Sequence, residues 1–166
     1  SFLKEKIKTF KYSDIIDVGA ESTRPFSDSI SVEEEIKRLS LFMKIKDDID
    51  KILSIDSCKY DVIKYALDNG FDIINDISGG GDKNSNIVLA AEYNVPIIIM
   101  HMQGKPKTMQ IKPKYNNIID DIMFFFEDKI KIMKDDFNLS DQQIIIDPGI
   151  GFGKTKEDNY SIIANI

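Results

Sequence analysis

The most regular feature of the chain is a set of five short apolar runs, rich in isoleucine and valine, in which apolar residues do not alternate with polar ones. Strands of a parallel sheet are covered on both faces and have this pattern. The runs therefore predict five buried parallel strands, at Ile15–Val18, Ile52–Ile55, Ile73–Ile77, Pro96–Met100 and Ile144–Ile146.

The segments between these runs carry apolar residues at helical spacing. Ser31 and Glu34 are spaced as a capping box, which predicts a helix beginning after Ser31 with a core face of Ile36, Leu39 and Met43. A second helix is predicted at 61–69, where Gly70 is placed to end it. Its inward side chains are expected to be Val62, Ile63, Ala66 and Leu67. Two more helices are predicted at 84–93 and 116–137.

The predicted elements therefore alternate, strand and helix in turn, from the first strand to the fifth. Alternating βα units build a parallel sheet with right-handed crossovers. Two architectures remain open on this basis, a doubly wound sheet and a barrel. No linker or low-complexity tract divides the chain, so residues 1–166 are expected to form part of one domain.

Composition narrows the class of protein. The chain has 166 residues, 42% of them hydrophobic, which is enough apolar material for a sizeable core. Its net charge of −6 argues against a nucleic acid or a membrane surface as partner. Cys58 is the single cysteine, so no internal disulfide is expected and a reducing, cytoplasmic location fits. No apolar run approaches the roughly 18 residues that span a membrane.

Polar residues collect where the predicted strands end. In order along the chain, they are Glu21, Thr23 and Arg24 after the first strand, Asp56 after the second, Asn75 in the third, His101 after the fourth and Asp147 after the fifth. Active sites of barrel enzymes are built at this edge of the sheet. An Asp in this position can also simply cap the next helix.

Two carboxylates and an amide are suited to a flat, nitrogen-rich ring. A carboxylate accepts two parallel N–H bonds, and an asparagine both donates and accepts along one edge. Asp56, Asn75 and Asp147 could therefore converge on such a ligand. The neighbouring Thr23, Arg24, Lys105 and Lys107 would suit an anion beside it.

The glycine-rich stretch 147–155 is close to two nucleotide-binding motifs and matches neither. A phosphate loop would need glycine at Pro148, and the dinucleotide motif would need glycine at Lys154. Phe152 lies in this turn and could form an aromatic wall for a bound ring. His101 is interpreted as a structural rim residue, and Cys58 has no activating partner in the sequence.

Five collinear motifs resemble those of the dihydropteroate synthase family. They are the stretches 14–25 (DIIDVGAESTRP), 54–57 (SIDS), 74–80 (INDISGG), 100–110 (MHMQGKPKTMQ) and 147–153 (DPGIGFG). The departures are small: Ala20 stands where the family more often has Gly, and Ser57 where Thr is common.

The resemblance implies a (β/α)₈ TIM barrel of the pterin-binding type, of which this chain covers about five central βα units. It implies a transferase of folate biosynthesis that joins 6-hydroxymethyl-7,8-dihydropterin pyrophosphate to p-aminobenzoate, with Mg²⁺ as cofactor, and releases pyrophosphate. Sulfonamides would be inhibitors, and the protein would be a homodimer. The Glu-Ser-Thr-Arg-Pro and Lys-Pro-Lys-Thr-Met-Gln stretches favour the synthase over one alternative, a methyltetrahydrofolate methyltransferase-like enzyme. A second alternative, a non-catalytic pterin-binding homologue, stays open.

By position, the resemblance also implies residue roles. The pterin would be hydrogen-bonded by Asp56, Asn75 and Asp147, in a pocket lined by Ile77, Ile98, Met100 and Phe152. A loop with Thr23, Arg24 and Pro25 would lie near the pyrophosphate and the p-aminobenzoate. The catalytic set implied is Asp56, Asp147, Thr23 and Arg24, with the two carboxylates stabilising a pterin cation.

Several family motifs are not found in the 166 residues. They are the first barrel strand, whose asparagine helps to hold Mg²⁺, a late-strand Ser-Arg-Lys motif, and an Arg and a His of the last strand. A whole barrel takes roughly 250 residues. We therefore expect this sequence to be the middle of a longer protein and to lack synthase activity when produced alone.

Overall fold

The computed structural model describes residues 2–23, 27–104 and 106–166. Within these ranges, five strands and six α-helices follow one another. In order they are α1 (Phe2–Thr9), β1 (Ile15–Gly19), α2 (Val32–Met43), β2 (Ile52–Asp56), α3 (Tyr60–Asp68), β3 (Ile73–Asp76), α4 (Ser85–Tyr93), β4 (Ile97–Met100), α5 (Ile118–Asp135), β5 (Ile144–Asp147) and α6 (Lys156–Ile163). The five predicted strands are confirmed, each to within one residue at either end.

The strands form one parallel sheet in the order β1-β2-β3-β4-β5. Helices that follow one another along the chain pack together, namely α2 with α3, α3 with α4, and α5 with α6. A doubly wound sheet reverses its strand order and places helices on both faces. Strands that advance in one direction instead keep their right-handed crossover helices on one face, as in a barrel.

The two faces of the sheet differ in burial. The face under the helices carries the core side chains Ile16, Leu53, Ile55, Ile74, Ile97 and Ile99, all at most 7% exposed. Because strand side chains alternate between faces, Ile15, Ile52 and Ile145 lie on the opposite face, where they are 40–46% exposed. This opposite face corresponds to the interior of a barrel, and we call it the inner face.

Helix α2 departs from the sequence prediction in two ways. Ser31 accepts the predicted bond from the Glu34 backbone at 3.2 Å, but the Glu34 side chain accepts from Arg38 at 2.8 Å instead of closing a capping box. The buried face consists of Glu35, Leu39 and Phe42, whereas the predicted Ile36 and Met43 are only half-buried. Glu35 can lie on the buried face of α2 because its carboxylate accepts hydrogen bonds from Ser57 and Lys59.

The remaining helices largely follow the predicted pattern. Helix α3 buries the four predicted side chains, and Gly70 follows its end with φ +81°. Two helices were not predicted, α1 and α6, and α6 begins with a capping box between Thr155 and Asp158. Within the described ranges, no helix combines the length and apolarity that crossing a membrane requires.

Candidate functional site at the carboxyl edge of the sheet

Strand register brings the predicted ring-binding residues together on the inner face. Asp56 pairs with Asn75 across β2 and β3, and Asn75 pairs with Ile98 across β3 and β4. One step further along the strands, Met100 pairs with Asp147 across β4 and β5. A carboxylate, an amide and a second carboxylate therefore line the carboxyl edge of a single sheet, as the sequence predicted.

Asp56 is the least satisfied of these groups. Its Oδ1 is buried and has no hydrogen-bond partner among the described residues. Burial, followed by the neighbouring carboxylates of Asp17, Glu35, Asp76 and Glu21, raises the pKa of Asp56 to about 6. Such a group gains most from a ligand that brings an N–H donor or positive charge, because either would compensate the buried oxygen.

Asn75 has one defined partner at the site. Its Nδ2 donates to Asp17 Oδ2 at 3.1 Å, from β3 across to β1. A carboxylate can only accept, so the amide nitrogen points at Asp17 and the amide oxygen is presented elsewhere as an acceptor. Sequence reasoning gave Asp17 no role.

Asp147 serves the turn that follows β5 as well as the site. Its Oδ1 accepts from the Gly149 backbone at 2.8 Å within the turn, and it does not cap the next helix, whose N-cap is Thr155. Gly149 has φ +69°, and a Cβ there would overlap the His101 carbonyl oxygen. The chain can thus double back beside Asp147 only because this position has no side chain.

A buried lysine fixes the far end of the same turn. Lys154 is 3% exposed and donates to the carbonyl oxygens of His101 at 3.0 Å and Phe152 at 2.9 Å. Burial lowers the pKa of Lys154 to about 8. The bond to Phe152 ties the predicted aromatic wall to the end of β4. Sequence reasoning missed this residue, because it considered Lys154 only as a position in a nucleotide motif.

His101 packs as a neutral aromatic side chain. Burial lowers its pKa to about 4, with the charge of Lys154 acting in the same direction. Its ring meets Phe125 edge to face, with centroids 5.1 Å apart. Nδ1 is buried and finds no hydrogen-bond partner in the described part of the chain. These contacts agree with the interpretation of His101 as a structural residue.

A buried ionic network holds the loop after β1 against the end of β2. Lys59 Nζ donates to Glu35 Oε2 and to the Ile30 carbonyl, both at 2.7 Å, and also pairs with Glu21. Ser57, directly after Asp56, donates to Glu35 Oε1 at 2.8 Å. Sequence reasoning missed Glu35 on α2 and Lys59 just before α3, because a charged side chain is normally solvated.

A cavity of about 230 Å³ opens between this loop and the loop after β4. Its wall includes Thr23, Asp56 and Ile77, together with Pro106 and Lys107 from the loop after β4. Thr23 and Asp56 thus line the same cavity. Three predicted positions, Arg24, Pro25 and Lys105, lie outside the described residues.

A one-directional parallel βα sheet with carboxylates, an amide and a glycine-rich turn at its carboxyl edge is typical of a barrel-type protein. The sequence pattern of the pterin binding enzyme family matches residues 11–166. The chain belongs to this family.

Known relatives and solved structures agree with that assignment. The dihydropteroate synthase of Clostridium beijerinckii is 42% identical over 155 residues, which cover 93% of this chain and 55% of the relative. The Yersinia pestis dihydropteroate synthase, solved as a sulfonamide drug complex, superposes with a TM-score of 0.90 at 33% identity, covering 98% of this chain and 59% of that one.

A third match is the Thermus thermophilus dihydropteroate synthase in complex with 4-aminobenzoate. It gives a TM-score of 0.86 at 30% identity and covers 99% of this chain and 62% of that one. These structures are TIM barrels, so the five βα units are part of a (β/α)₈ barrel. The chain spans about half the length of the curated relatives it matches.

Proposed function

We propose that the full-length protein containing these residues is a dihydropteroate synthase of folate biosynthesis. The observation that carries the proposal is the in-register pair Asp56 and Asn75, in which Asp56 Oδ1 is buried without a partner among the described residues. A pterin presents N–H groups along one edge of a flat ring, which complements two neighbouring acceptors. The names of the relatives support the same activity.

In the proposed reaction, the bond between the exocyclic methylene carbon of the pterin and its pyrophosphate oxygen breaks, and pyrophosphate leaves with the electron pair. The amine nitrogen of p-aminobenzoate bonds to that carbon and loses one proton. Positive charge develops on the pterin between these two events. The ionised carboxylates of Asp56 and Asp147 are proposed to stabilise that charge, because they are fixed in place before it forms.

The other predicted residues have supporting roles in this proposal. Ile77, Ile98, Met100 and Phe152 are proposed to line the pterin pocket. Thr23, Arg24 and Pro25 are proposed to lie near the pyrophosphate and the p-aminobenzoate, a position to which the Thr23 lining of the cavity lends support. Sulfonamides are proposed to compete with p-aminobenzoate, and the full protein is proposed to be a cytoplasmic homodimer.

Mg²⁺ is implied by the family resemblance but not by the residues of this chain. Across ranges 2–23, 27–104 and 106–166, no group of three or more His, Cys, Asp or Glu side chains is arranged to hold a metal ion. No catalytic step is therefore assigned to a metal through these residues.

The test is product identification with the full-length protein, the pterin pyrophosphate and p-aminobenzoate. Formation of dihydropteroate, measured by mass, is the expected result. Methyl transfer to cobalamin without dihydropteroate would replace the proposal with a methyltransferase, and pterin binding without turnover would replace it with a non-catalytic homologue.

Pterin binding by variants tests the pocket separately. Asp56→Ala and Asp147→Ala should each abolish pterin binding in calorimetry. Asp128→Ala, on the exposed surface of α5, is the matched control and should bind as the wild type does. Unchanged affinity in the first two variants would contradict the pocket assignment.

A further inference from the structure

Asp17 is a carboxylate on the inner face that the proposed reaction does not use. It pairs with Ser54 in the register of β1 and β2, and its side chain is exposed on the open side of the sheet. From there it accepts the Asn75 Nδ2 hydrogen bond at 3.1 Å, a contact that crosses β2 diagonally. Through this hydrogen bond, Asp17 binds the nitrogen end of the Asn75 amide, which belongs to the predicted pocket.

The contact determines which end of the Asn75 amide the ligand meets. The two ends have nearly the same shape and differ only in hydrogen bonding, one donating and the other accepting. A carboxylate beside the amide favours the orientation with nitrogen towards it. The oxygen of Asn75 is then an acceptor next to Asp56, so that the pocket offers acceptors side by side.

Asp17 also contributes charge on the open side of Asp56. After burial, its carboxylate is the strongest influence raising the Asp56 pKa. The other carboxylates whose charge raises the Asp56 pKa are Glu35 on α2, Asp76 on β3 and Glu21 on the loop after β1. Glu35 and Glu21 are both paired with Lys59, whereas Asp17 faces the inner side of the sheet.

We infer that Asp17 is a positioning residue of the pterin pocket. It orients the Asn75 amide so that the amide oxygen accepts, and it adds negative charge near Asp56. Both effects favour a ring that bears N–H donors. This inference rests on the proposed function. It assigns Asp17 an effect through Asn75 and Asp56 and no contact with the reacting atoms.

The two effects can be separated by two substitutions. Asp17→Ala removes both the acceptor and the charge, whereas Asp17→Asn keeps an acceptor oxygen and removes only the charge. Asp14→Asn is the matched control, because Asp14 precedes β1 at the opposite edge of the sheet and is also exposed. The probe is 6-hydroxymethylpterin, titrated calorimetrically into the full-length protein from pH about 5 to 8.

For the wild type, affinity should rise with pH through about 6, as Asp56 gives its proton to solvent. Asp17→Ala should bind about tenfold more weakly at the upper end of this range, the worth of one oriented hydrogen bond. Asp17→Asn should bind within about threefold of wild type there, and its pH midpoint should move to lower pH. Asp14→Asn should match the wild type in both respects.

The inference is overturned if Asp17→Asn leaves the pH midpoint unchanged, or if Asp17→Ala binds as tightly as wild type. Thermal melting shows whether each variant is folded. If Asp17→Ala is unfolded, the pH midpoint of pterin binding by the isosteric Asp17→Asn still tests the inference. Failure of the proposed function looks different: the wild type itself then binds no pterin, or makes no dihydropteroate, at any pH.

Discussion

Gly19 and Asp56 lie directly opposite one another in the paired strands β1 and β2, and a methyl group on Gly19 would come within 2.9 Å of Asp56 Oδ2. The distance is shorter than real Cβ contacts allow, so the Asp56 carboxylate would have to move. Asp56 can therefore occupy its present position only because residue 19 has no side chain.

Gly19→Ala should weaken pterin binding about tenfold or more while leaving the fold intact, because the displaced group is a side chain and not backbone. Calorimetry with 6-hydroxymethylpterin measures the loss of affinity, and thermal melting checks the fold. In an Asp56→Ala background the same substitution should have a smaller structural cost, because the contact with Oδ2 is removed and only the Cβ of residue 56, 3.2 Å away, remains close. Equal destabilisation by Gly19→Ala in both backgrounds would mean that the backbone, not Asp56, responds.

The second prediction concerns the ionic network behind Asp56. Lys59→Met leaves the carboxylate of Glu35, which is 1% exposed, without its cation, 2.7 Å away in the wild type. Removing one partner of a buried ion pair costs about 3 to 5 kcal/mol. We expect a loss near the lower end, because the Lys59 side chain is 19% exposed. Urea unfolding of the full-length protein measures it.

Lys64→Met is the matched control for Lys59. Lys64 pairs with Asp68 at 2.9 Å on the surface, where both side chains are nearly half exposed. Its replacement should change the free energy of unfolding far less than Lys59→Met does, because an exposed ion pair is solvated and screened. If the two variants lose similar free energies of unfolding, burial of Glu35 does not determine how much its ion pair with Lys59 stabilises the fold.

The third prediction is a pair of opposite pH dependences. Asp56 has a pKa raised from 3.8 to about 6, so the native state binds more protons than the unfolded one in this interval, and its contribution to stability is lost as pH rises. His101 has a pKa lowered from 6.5 to about 4, so its contribution is present above this interval and is lost as pH falls. The two contributions largely cancel between pH about 4 and 6.

Single variants should separate these two contributions. Asp56→Asn should make stability rise more steeply with pH than in the wild type, and His101→Phe should make it fall, each by about 2 kcal/mol across the interval after allowance for solvent screening. Denaturant unfolding at a series of pH values gives both slopes. Parallel curves for wild type and both variants would contradict the assigned pKa directions.

The fourth prediction concerns the turn after β5. Lys154→Met removes the donor from the carbonyl oxygens of His101 and Phe152, which should cost about 2 kcal/mol and loosen the turn beside Asp147. Hydrogen exchange at residues 149–154 should accelerate. Lys156→Met, on exposed α6, should leave both exchange and stability unchanged. Unaltered hydrogen exchange in the Lys154 variant would mean that the backbone hydrogen bonds of the turn are sufficient to keep it ordered.

Local pattern was sufficient to place the five strands and the four helices between them, but not α1 and α6. Isoleucine-rich runs without alternation predicted each strand to within one residue at either end, and the apolar spacing of α3 predicted its buried face. The pattern does not make every apolar residue of a helix part of the core: in α5, Phe124 is 69% exposed, whereas Phe126 is 3% exposed. Three consecutive residues of a helix cannot all face the core, because successive side chains are about 100° apart.

The strand register and the partners of the buried charged side chains became visible only in the tertiary structure. The polar residues at strand ends were visible in the sequence, but only strand pairing puts Asp56 beside Asn75 and Met100 beside Asp147. The partners Glu35, Lys59 and Lys154 could not be predicted, because a charged residue is normally solvated, and its burial depends on a counter-group from a distant segment. Lys59 and Glu35 are 24 positions apart, and Lys154 and His101 are 53 positions apart.

The sequence by itself determined the alternation of strands and helices, the edge at which the polar groups collect, and the resemblance to a pterin-binding family, because these depend on residue type and spacing along one chain. Only the tertiary structure decided that the sheet winds in one direction, that α2 buries Glu35, and that Asp17 holds the Asn75 amide. Those properties depend on contacts between segments far apart in sequence, and local spacing carries no information about which distant groups will meet.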